Sequence, residues 1–107
     1  MIDFYSKPRY DFEDLCQLVR VLLAPDGCPW DSVQTHESIR RNFLEEVYEA
    51  CEAIDQKDPV HLREELGDVL LHVVFHAGIE ADAGNFTIDD VCDTVVMKMI
   101  SRHPALF

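Results

Sequence analysis

The sequence predicts an all-α protein, an antiparallel four-helix bundle formed by a single domain over residues 1–107. Apolar residues recur at intervals of three and four along four segments, which is the spacing of one helix face. Each segment begins at a capping residue and ends near a glycine or proline. No segment alternates in the manner of a β-strand, and the connections are short, as in helical bundles.

The first predicted helix starts at about Asp11, a suitable N-cap, and ends at Pro25. An extended arm, residues 1–10, precedes it. The following loop, residues 24–31, contains two prolines, a glycine and the only tryptophan, Trp30. Trp30 has two interpretations. It stacks on a nucleobase, or it fills the end of the bundle, which is the interpretation we favour.

The second predicted helix covers residues 35–56, with Thr35 as its cap. Its apolar stripe consists of Ile39, Phe43, Leu44, Val47, Ala50, Cys51 and Ile54. Glu46 falls at the edge of this stripe and Glu49 just beyond it, whereas Glu45 and Glu52 point outward. Because an unpaired carboxylate at such an edge is costly, we expect a cation or a donor beside it.

The third predicted helix opens with Asp58-Pro59, a strong start signal, and runs to about Ala83. It is apolar almost all round and is therefore expected to be buried on most sides. Its polar exceptions form one row, at spacings of four, three, four and four: His61, Glu65, Asp68, His72 and His76. His72 and His76 have the spacing to bind a transition metal, but we favour hydrogen-bonded core or outer positions for them.

The fourth predicted helix follows Thr87, which forms a capping signal with Asp90, and stops before Pro104. Its predicted core stripe is Ile88, Val91, Cys92, Val95 and Met99. Lys98 and Arg102 are four residues apart, so they share one face near the C-terminal end, where positive charge also suits the helix dipole.

The amino-acid composition limits the kinds of partner that the protein can bind. The formal net charge is −12, from 21 acidic and 9 basic residues, which argues against a nucleic-acid backbone or an anionic membrane as partner. No apolar run has the length of a membrane span, and the N-terminus lacks signal-peptide features. Four scattered cysteines without C-x-x-C spacing indicate reduced thiols in or near the core. We therefore expect a cytoplasmic protein.

Two carboxylate pairs stand three residues apart on two helices that we expect to be neighbours: Glu46 with Glu49, and Glu65 with Asp68. If these helices are antiparallel, four carboxylates converge, a ligand set that suits Mg²⁺ or Mn²⁺. Such a centre favours phosphoryl or nucleotidyl transfer. Lys98 and Arg102 would then neutralise charge on a leaving phosphate.

Two other interpretations of the acidic residues remain open. Glu-x-x-Glu spacing is common on solvated helix faces, and this is the favoured explanation for Glu45 and Glu52. A di-iron centre also uses inward carboxylates in a bundle, but it needs Glu-x-x-His pairs, and the corresponding position of the third helix is Asp68.

Further motifs accompany the acidic residues in order along the chain: GCPWD at 27–31, QT at 34–35, LREELGDVLL at 62–71, VVFHA at 73–77 and RHP at 102–104. Over residues 11–107 they resemble the MazG-type nucleoside triphosphate pyrophosphohydrolases, in particular the N-terminal type of domain. Position 72, often glutamine in that family, is histidine here.

The resemblance implies an all-α pyrophosphatase fold, a homodimer or higher homo-oligomer, and hydrolysis of nucleoside triphosphates to monophosphate and pyrophosphate by attack at the α-phosphorus, in nucleotide-pool clearance. It implies Mg²⁺ held by Glu46, Glu49, Glu65 and Asp68, and catalytic roles for Glu45, Glu46, Lys98 and Arg102. Glu45 would either support a metal ligand from outside or orient water, and the two basic residues would contact phosphate. The alternative is a catalytically weak dimerisation or nucleotide-sensing domain of a longer protein, and the end at Phe107 is compatible with an excised domain.

Overall fold

A computed structural model describes residues 6–107 and contains four α-helices, which confirms the predicted fold class. They are α1 (Phe12–Leu23), α2 (His36–Asp55), α3 (Pro59–Asp82) and α4 (Ile88–Arg102), with a 3₁₀ turn at Asp31–Val33. Residues 6–107 contain no strand. Of the predicted arm, residues 1–5 lie outside the described residues, and residues 6–10 are not helical.

All four helices begin where the sequence predicts. The side chain of each capping residue accepts a hydrogen bond from the backbone amide three residues later, which satisfies one of the free N–H groups of the first turn. The capping residues are Asp11, Thr35, Asp58 and Thr87. Helix starts depend on such local contacts, which explains why sequence alone locates them.

α3 is the central helix, because α1, α2 and α4 all pack against it. The core lies between α1, the start of α2 and the C-terminal half of α3, and consists of Cys16, Val19, Ile39, Val74 and Phe75. Gly78 permits the close approach of α1, since a Cβ atom there would lie 2.6 Å from Cδ1 of Leu23.

α2 and α3 form a helical hairpin through a turn of three residues, 56–58. Lys57 adopts the left-handed conformation, with φ of 55°. The backbone amides of Lys57 and Asp58 donate to the carbonyl groups of Ile54 and Ala53, and so occupy acceptors at the end of α2. The turn therefore sets the C-terminal half of α2 against the N-terminal half of α3.

α4 packs mainly against α3, and Ile88 at its start reaches the core that α1 and α3 share. Ile88 and Val91 are half-buried, but three residues predicted for the core, Cys92, Val95 and Met99, are exposed. That part of the core prediction is wrong for a single chain, because α4 extends beyond the surface that α3 offers.

Burial predictions for α2 and α3 also fail at several positions. Four apolar residues of the predicted α2 stripe are exposed, and so are two from the N-terminal half of α3: Leu44, Val47, Cys51, Ile54, Leu66 and Leu70. Trp30 is 77% exposed, so it does not fill the end of the bundle.

The four cysteines are free thiols. Cys16 is buried and Cys28 half-buried, whereas Cys51 and Cys92 are exposed, which corrects the expectation that all lie in or near the core. No helix within residues 6–107 combines the length and apolar character needed to cross a membrane.

Candidate metal centre

Three carboxylates meet where α2 faces α3. Glu46 and Glu49 project from successive turns of α2, and Glu65 comes from the first half of α3. One oxygen from each lies within 4.8 Å of the others. The three-residue spacing puts the α2 pair on one face, and the hairpin brings α3 against that face. Three of the four predicted metal ligands are therefore neighbours.

Glu65 is the only charged side chain that is buried among residues 6–107, at 6% exposed. Its Oε1 lies 3.3 Å from Nε2 of His61. Its Oε2 has no hydrogen-bond partner, nor does Oε2 of Glu46, and both atoms are shielded from solvent. Unpartnered carboxylate oxygens are costly to bury, and a hard divalent cation is the ligand that such oxygens fit.

Electrostatic repulsion and burial both raise the pKa values of Glu46 and Glu49. Burial raises the pKa of Glu46 above its ordinary value of 4.5, and the negative charge of Asp68 raises it further. The pKa of Glu49 is raised first by a hydrogen bond with Glu65 and then by the negative charge of Glu65. Both shifts indicate carboxylates that resist ionisation unless positive charge is supplied.

Asp68, the fourth predicted ligand, is half-buried and close enough to Glu46 for its charge to act there, but it does not belong to the group of three. Glu45 is exposed, as predicted, and its Oε1 lies 3.2 Å from Nε of Arg41. Lys98 and Arg102 are exposed on α4, which does not touch α2, so one chain does not bring them to the carboxylates.

A chain of polar contacts links the two helices further along the hairpin. His36 Nδ1 lies 2.7 Å from Nδ1 of His76, and His36 Nε2 lies 2.7 Å from Oε1 of Glu80. Nδ2 of Asn85 donates to the other oxygen of Glu80 at 2.7 Å. Sequence reasoning missed His36 and Glu80, since 40 residues separate His36 from His76 and no local pattern connects them.

Two cavities flank the contact between α2 and α3. One, of about 390 Å³, is lined by Leu22, Trp30, Asp31, Gln34, Ser38, Ile39, Asn42, Leu71, His72 and Phe75. The other, of about 440 Å³, is mostly apolar, with His36, Arg40, His76 and Glu80 among its lining residues. Asn42 is one helical turn before Glu46, and His72 is one turn after Asp68, so the first cavity adjoins the acidic residues.

Residues 34–107 match the model of the MazG nucleotide pyrophosphohydrolase domain. The chain is 52% identical over 96 residues to the nucleoside triphosphate pyrophosphohydrolase/pyrophosphatase MazG of Thermotoga maritima, covering 90% of this chain and 38% of that protein. It is 50% identical over 98 residues to the uncharacterised protein YabN of Bacillus subtilis, covering 92% and 20%.

A third relative is the nucleoside triphosphate pyrophosphohydrolase of Escherichia coli, 44% identical over 82 residues, with 77% of this chain and 31% of the relative covered. The chain thus spans less than two-fifths of the length of each of these three proteins. The family match includes the acidic residues of both helices and confirms the resemblance seen in the motifs. The chain belongs to the MazG nucleotide pyrophosphohydrolase family.

Proposed function

We propose that this domain hydrolyses nucleoside triphosphates to monophosphate and pyrophosphate, with Mg²⁺ or Mn²⁺ as cofactor and with water attacking the α-phosphorus. The observation that carries the proposal is the cluster of Glu46, Glu49 and Glu65, in which two buried oxygens have no partner. Relatives named as nucleoside triphosphate pyrophosphohydrolases support the choice of substrate.

The residues proposed to hold the ion are Glu46, Glu49, Glu65 and Asp68. When bound, Mg²⁺ neutralises the polyphosphate and makes a coordinated water more acidic. Glu45 is proposed to orient the attacking water, for which it has to leave Arg41. The water oxygen bonds to the α-phosphorus, the bond from that phosphorus to the bridging oxygen breaks, and pyrophosphate leaves.

The nucleoside is proposed to occupy the cavity beside Trp30. Its volume of about 390 Å³ is within the usual range for a small-molecule site. The exposed ring of Trp30 offers a stacking face, and Asn42 offers an amide group for hydrogen bonds. Because the cavity adjoins Glu46 and Asp68, a nucleoside there directs its phosphates toward the acidic residues.

A second copy of the chain is proposed to complete the site. Lys98 and Arg102 lie on a helix whose apolar residues are largely uncovered, including Val96 and Met97, and apolar residues of α2 and α3 are exposed as well. A homodimer would cover these surfaces and carry the basic residues of one copy toward the carboxylates of the other. We also infer a cytoplasmic location from the four free cysteines.

The activity is tested by incubating the protein with a panel of nucleoside triphosphates and Mg²⁺ in ¹⁸O-labelled water, followed by phosphorus NMR. We expect pyrophosphate as first product, the label in the monophosphate, and no reaction with chelator. Glu46→Gln and Asp68→Asn should each lower turnover more than about 100-fold, because even outer partners of metal ligands contribute 10–100-fold.

Glu52→Gln, an identical chemical change at an exposed position of α2, is the matched control and should turn over normally. Orthophosphate as the first product would contradict the proposal, and so would unchanged turnover in both ligand variants. Tight nucleotide binding by calorimetry without any product would instead favour a nucleotide-sensing or dimerisation domain.

The role of the second copy is tested by mixing two variants, Glu46→Gln and Arg102→Gln, which should each be nearly inactive. Reassorted dimers should recover about one quarter of the wild-type rate, because half of them are mixed and each mixed dimer has one intact site. Light scattering on the wild type gives the mass. A monomer, or a mixture without recovery, would contradict the proposal that Arg102 acts on the partner's site.

A further inference from the structure

We propose that His72 and His76 form a second metal site, distinct from the carboxylate cluster, which binds a divalent transition-metal ion of the Zn²⁺ class. The two residues are four apart on α3 and therefore share one face of the helix. A histidine pair with this spacing is a well-known zinc-binding arrangement on helices. The proposed hydrolysis does not use such an ion.

Each imidazole has a ring nitrogen in need of a partner. Nδ1 of His72 and Nε2 of His76 are shielded from solvent and have no hydrogen-bond partner. Leaving such an atom unpaired costs free energy comparable to a lost hydrogen bond, so two of them on one helix face require an explanation. A metal ion that accepts both lone pairs provides one.

The neighbouring contacts assign the tautomer of His76 when the His36 ring is neutral. Because Glu80 accepts from Nε2 of His36, the neutral His36 ring has its lone pair on Nδ1. That lone pair accepts from Nδ1 of His76 at 2.7 Å, so the unpartnered Nε2 of His76 carries the other lone pair. A ligand histidine that donates its second N–H to an oriented partner is the usual arrangement around protein-bound metals.

The ring of Phe43 packs against both imidazoles. It stacks on His72 with centroids 5.4 Å apart and lies 5.2 Å from the centroid of His76. The two imidazole centroids are 6.4 Å apart. With zinc–nitrogen bonds of about 2 Å, only a linear nitrogen–zinc–nitrogen arrangement spans that separation, so tetrahedral binding requires the two rings to move together by about 1 Å. Water molecules are available to complete the coordination.

The two proposed sites differ in the chemistry of their donors. Carboxylate oxygens of Glu46 and Glu65 suit a hard ion, whereas imidazole nitrogens prefer zinc, cobalt or nickel. Burial also lowers the pKa of both His72 and His76, which keeps their lone pairs free near neutral pH. An excess of Mg²⁺ should therefore fill the first site without occupying the second.

The test is calorimetric titration of the full chain with Zn²⁺ in the presence of excess Mg²⁺. We expect His72→Gln and His76→Gln each to weaken zinc binding at least tenfold, with helix content by circular dichroism as the folding control. His103→Gln, which removes the exposed histidine that follows α4, is the matched control and should bind zinc like the wild type.

Titration with Co²⁺ gives an independent readout, because visible absorption reports nitrogen ligation and should be lost in His72→Gln. Zinc affinity that is the same in His72→Gln and the wild type would overturn the proposal. So would loss of zinc binding in Glu65→Gln with full binding in His72→Gln, since zinc would then sit in the carboxylate cluster. If His76→Gln does not fold, His72→Gln alone decides.

Discussion

The C-terminal and N-terminal halves of α3 each pack against a neighbouring helix, but they bury different chemistry. Toward the C-terminal end, Val74 and Phe75 lie among apolar residues of α1 and α2. Toward the N-terminal end the buried side chain is Glu65, which faces Glu46 and Glu49. Apolar burial stabilises the C-terminal half of α3 on its own. The N-terminal half holds like charges together, and it is stable there only because packing of the C-terminal half fixes the helices.

The largest loss of stability should come from truncating a side chain in the apolar C-terminal half of α3. Phe75 is 7% exposed, and Phe75→Ala should lower the free energy of unfolding by about 3–5 kcal/mol, through lost burial and the cavity left behind. Urea unfolding with chelator measures this. Val60→Ala, at a position that is 77% exposed, is the control. Similar losses in both variants would mean that the two halves do not differ as described.

Binding of Mg²⁺ to the carboxylates near the N-terminal half of α3 should also change the stability of the protein. Mg²⁺ at about 100 times its dissociation constant should raise the free energy of unfolding of the wild type by about 2.7 kcal/mol, because it binds the folded state. Glu65→Gln should lose most of this increment, and Glu52→Gln should keep it. Paired urea titrations in Mg²⁺ and in chelator supply the values, and an undiminished increment in Glu65→Gln would remove Glu65 from the site.

A smaller effect concerns pH. A carboxyl group whose pKa is higher in the folded state than its ordinary value favours folding below that value, and this contribution disappears as pH rises through the raised pKa. For Glu46 the window starts at 4.5. In chelator, wild type should therefore lose stability relative to Glu46→Gln as pH rises above 4.5.

The lowered pKa values of His72 and His76 have the opposite sign, since their contribution to stability is present above the ordinary value of 6.5 and lost as pH falls. They occur in both proteins, and the comparison with Glu46→Gln largely removes them. Thermal unfolding across the pH range tests the prediction. A stability difference that stays constant with pH would contradict it.

The smallest effect is expected outside both halves. Nζ of Lys7 lies 2.8 Å from Asp14, and both side chains are in contact with solvent. Exposed pairs of this kind contribute little, so Lys7→Ala should lower the free energy of unfolding less than any of the variants above. Urea unfolding of this variant provides the baseline for the others. A larger loss would mean that the N-terminal arm contributes to the core.

Sequence predicted the helices well, because their starts depend on local groups such as Thr35 and Thr87. It also predicted that Glu46 and Glu49 lie on one face opposite Glu65, since helical spacing and a short turn determine this. The prediction that Val95 and Met99 are buried was wrong. Periodicity places both residues on one apolar face of α4, but it does not say what covers that face. The environment of Trp30 was missed for a related reason, because proline-rich loops give no periodic signal.

The contact of His36 with His76 shows a second limit, since it depends on how far α2 and α3 slide along each other. Patterns within one helix do not contain that information. The assignments of Glu46, Glu49, Glu65 and Asp68 as metal ligands, and of Glu45, Glu46, Lys98 and Arg102 as catalytic residues, stay predictions.

The turn around Lys57 also has a consequence for folding kinetics. It joins α2 to α3 within three residues, so the contacts between these helices are local in sequence, and local contacts form quickly. We therefore expect the carboxylates to meet early, before α1 closes over the C-terminal half of α3. Their repulsion opposes this step, and a divalent cation that binds them as proposed should accelerate it. In that case the order in which the helices assemble would depend on the ion.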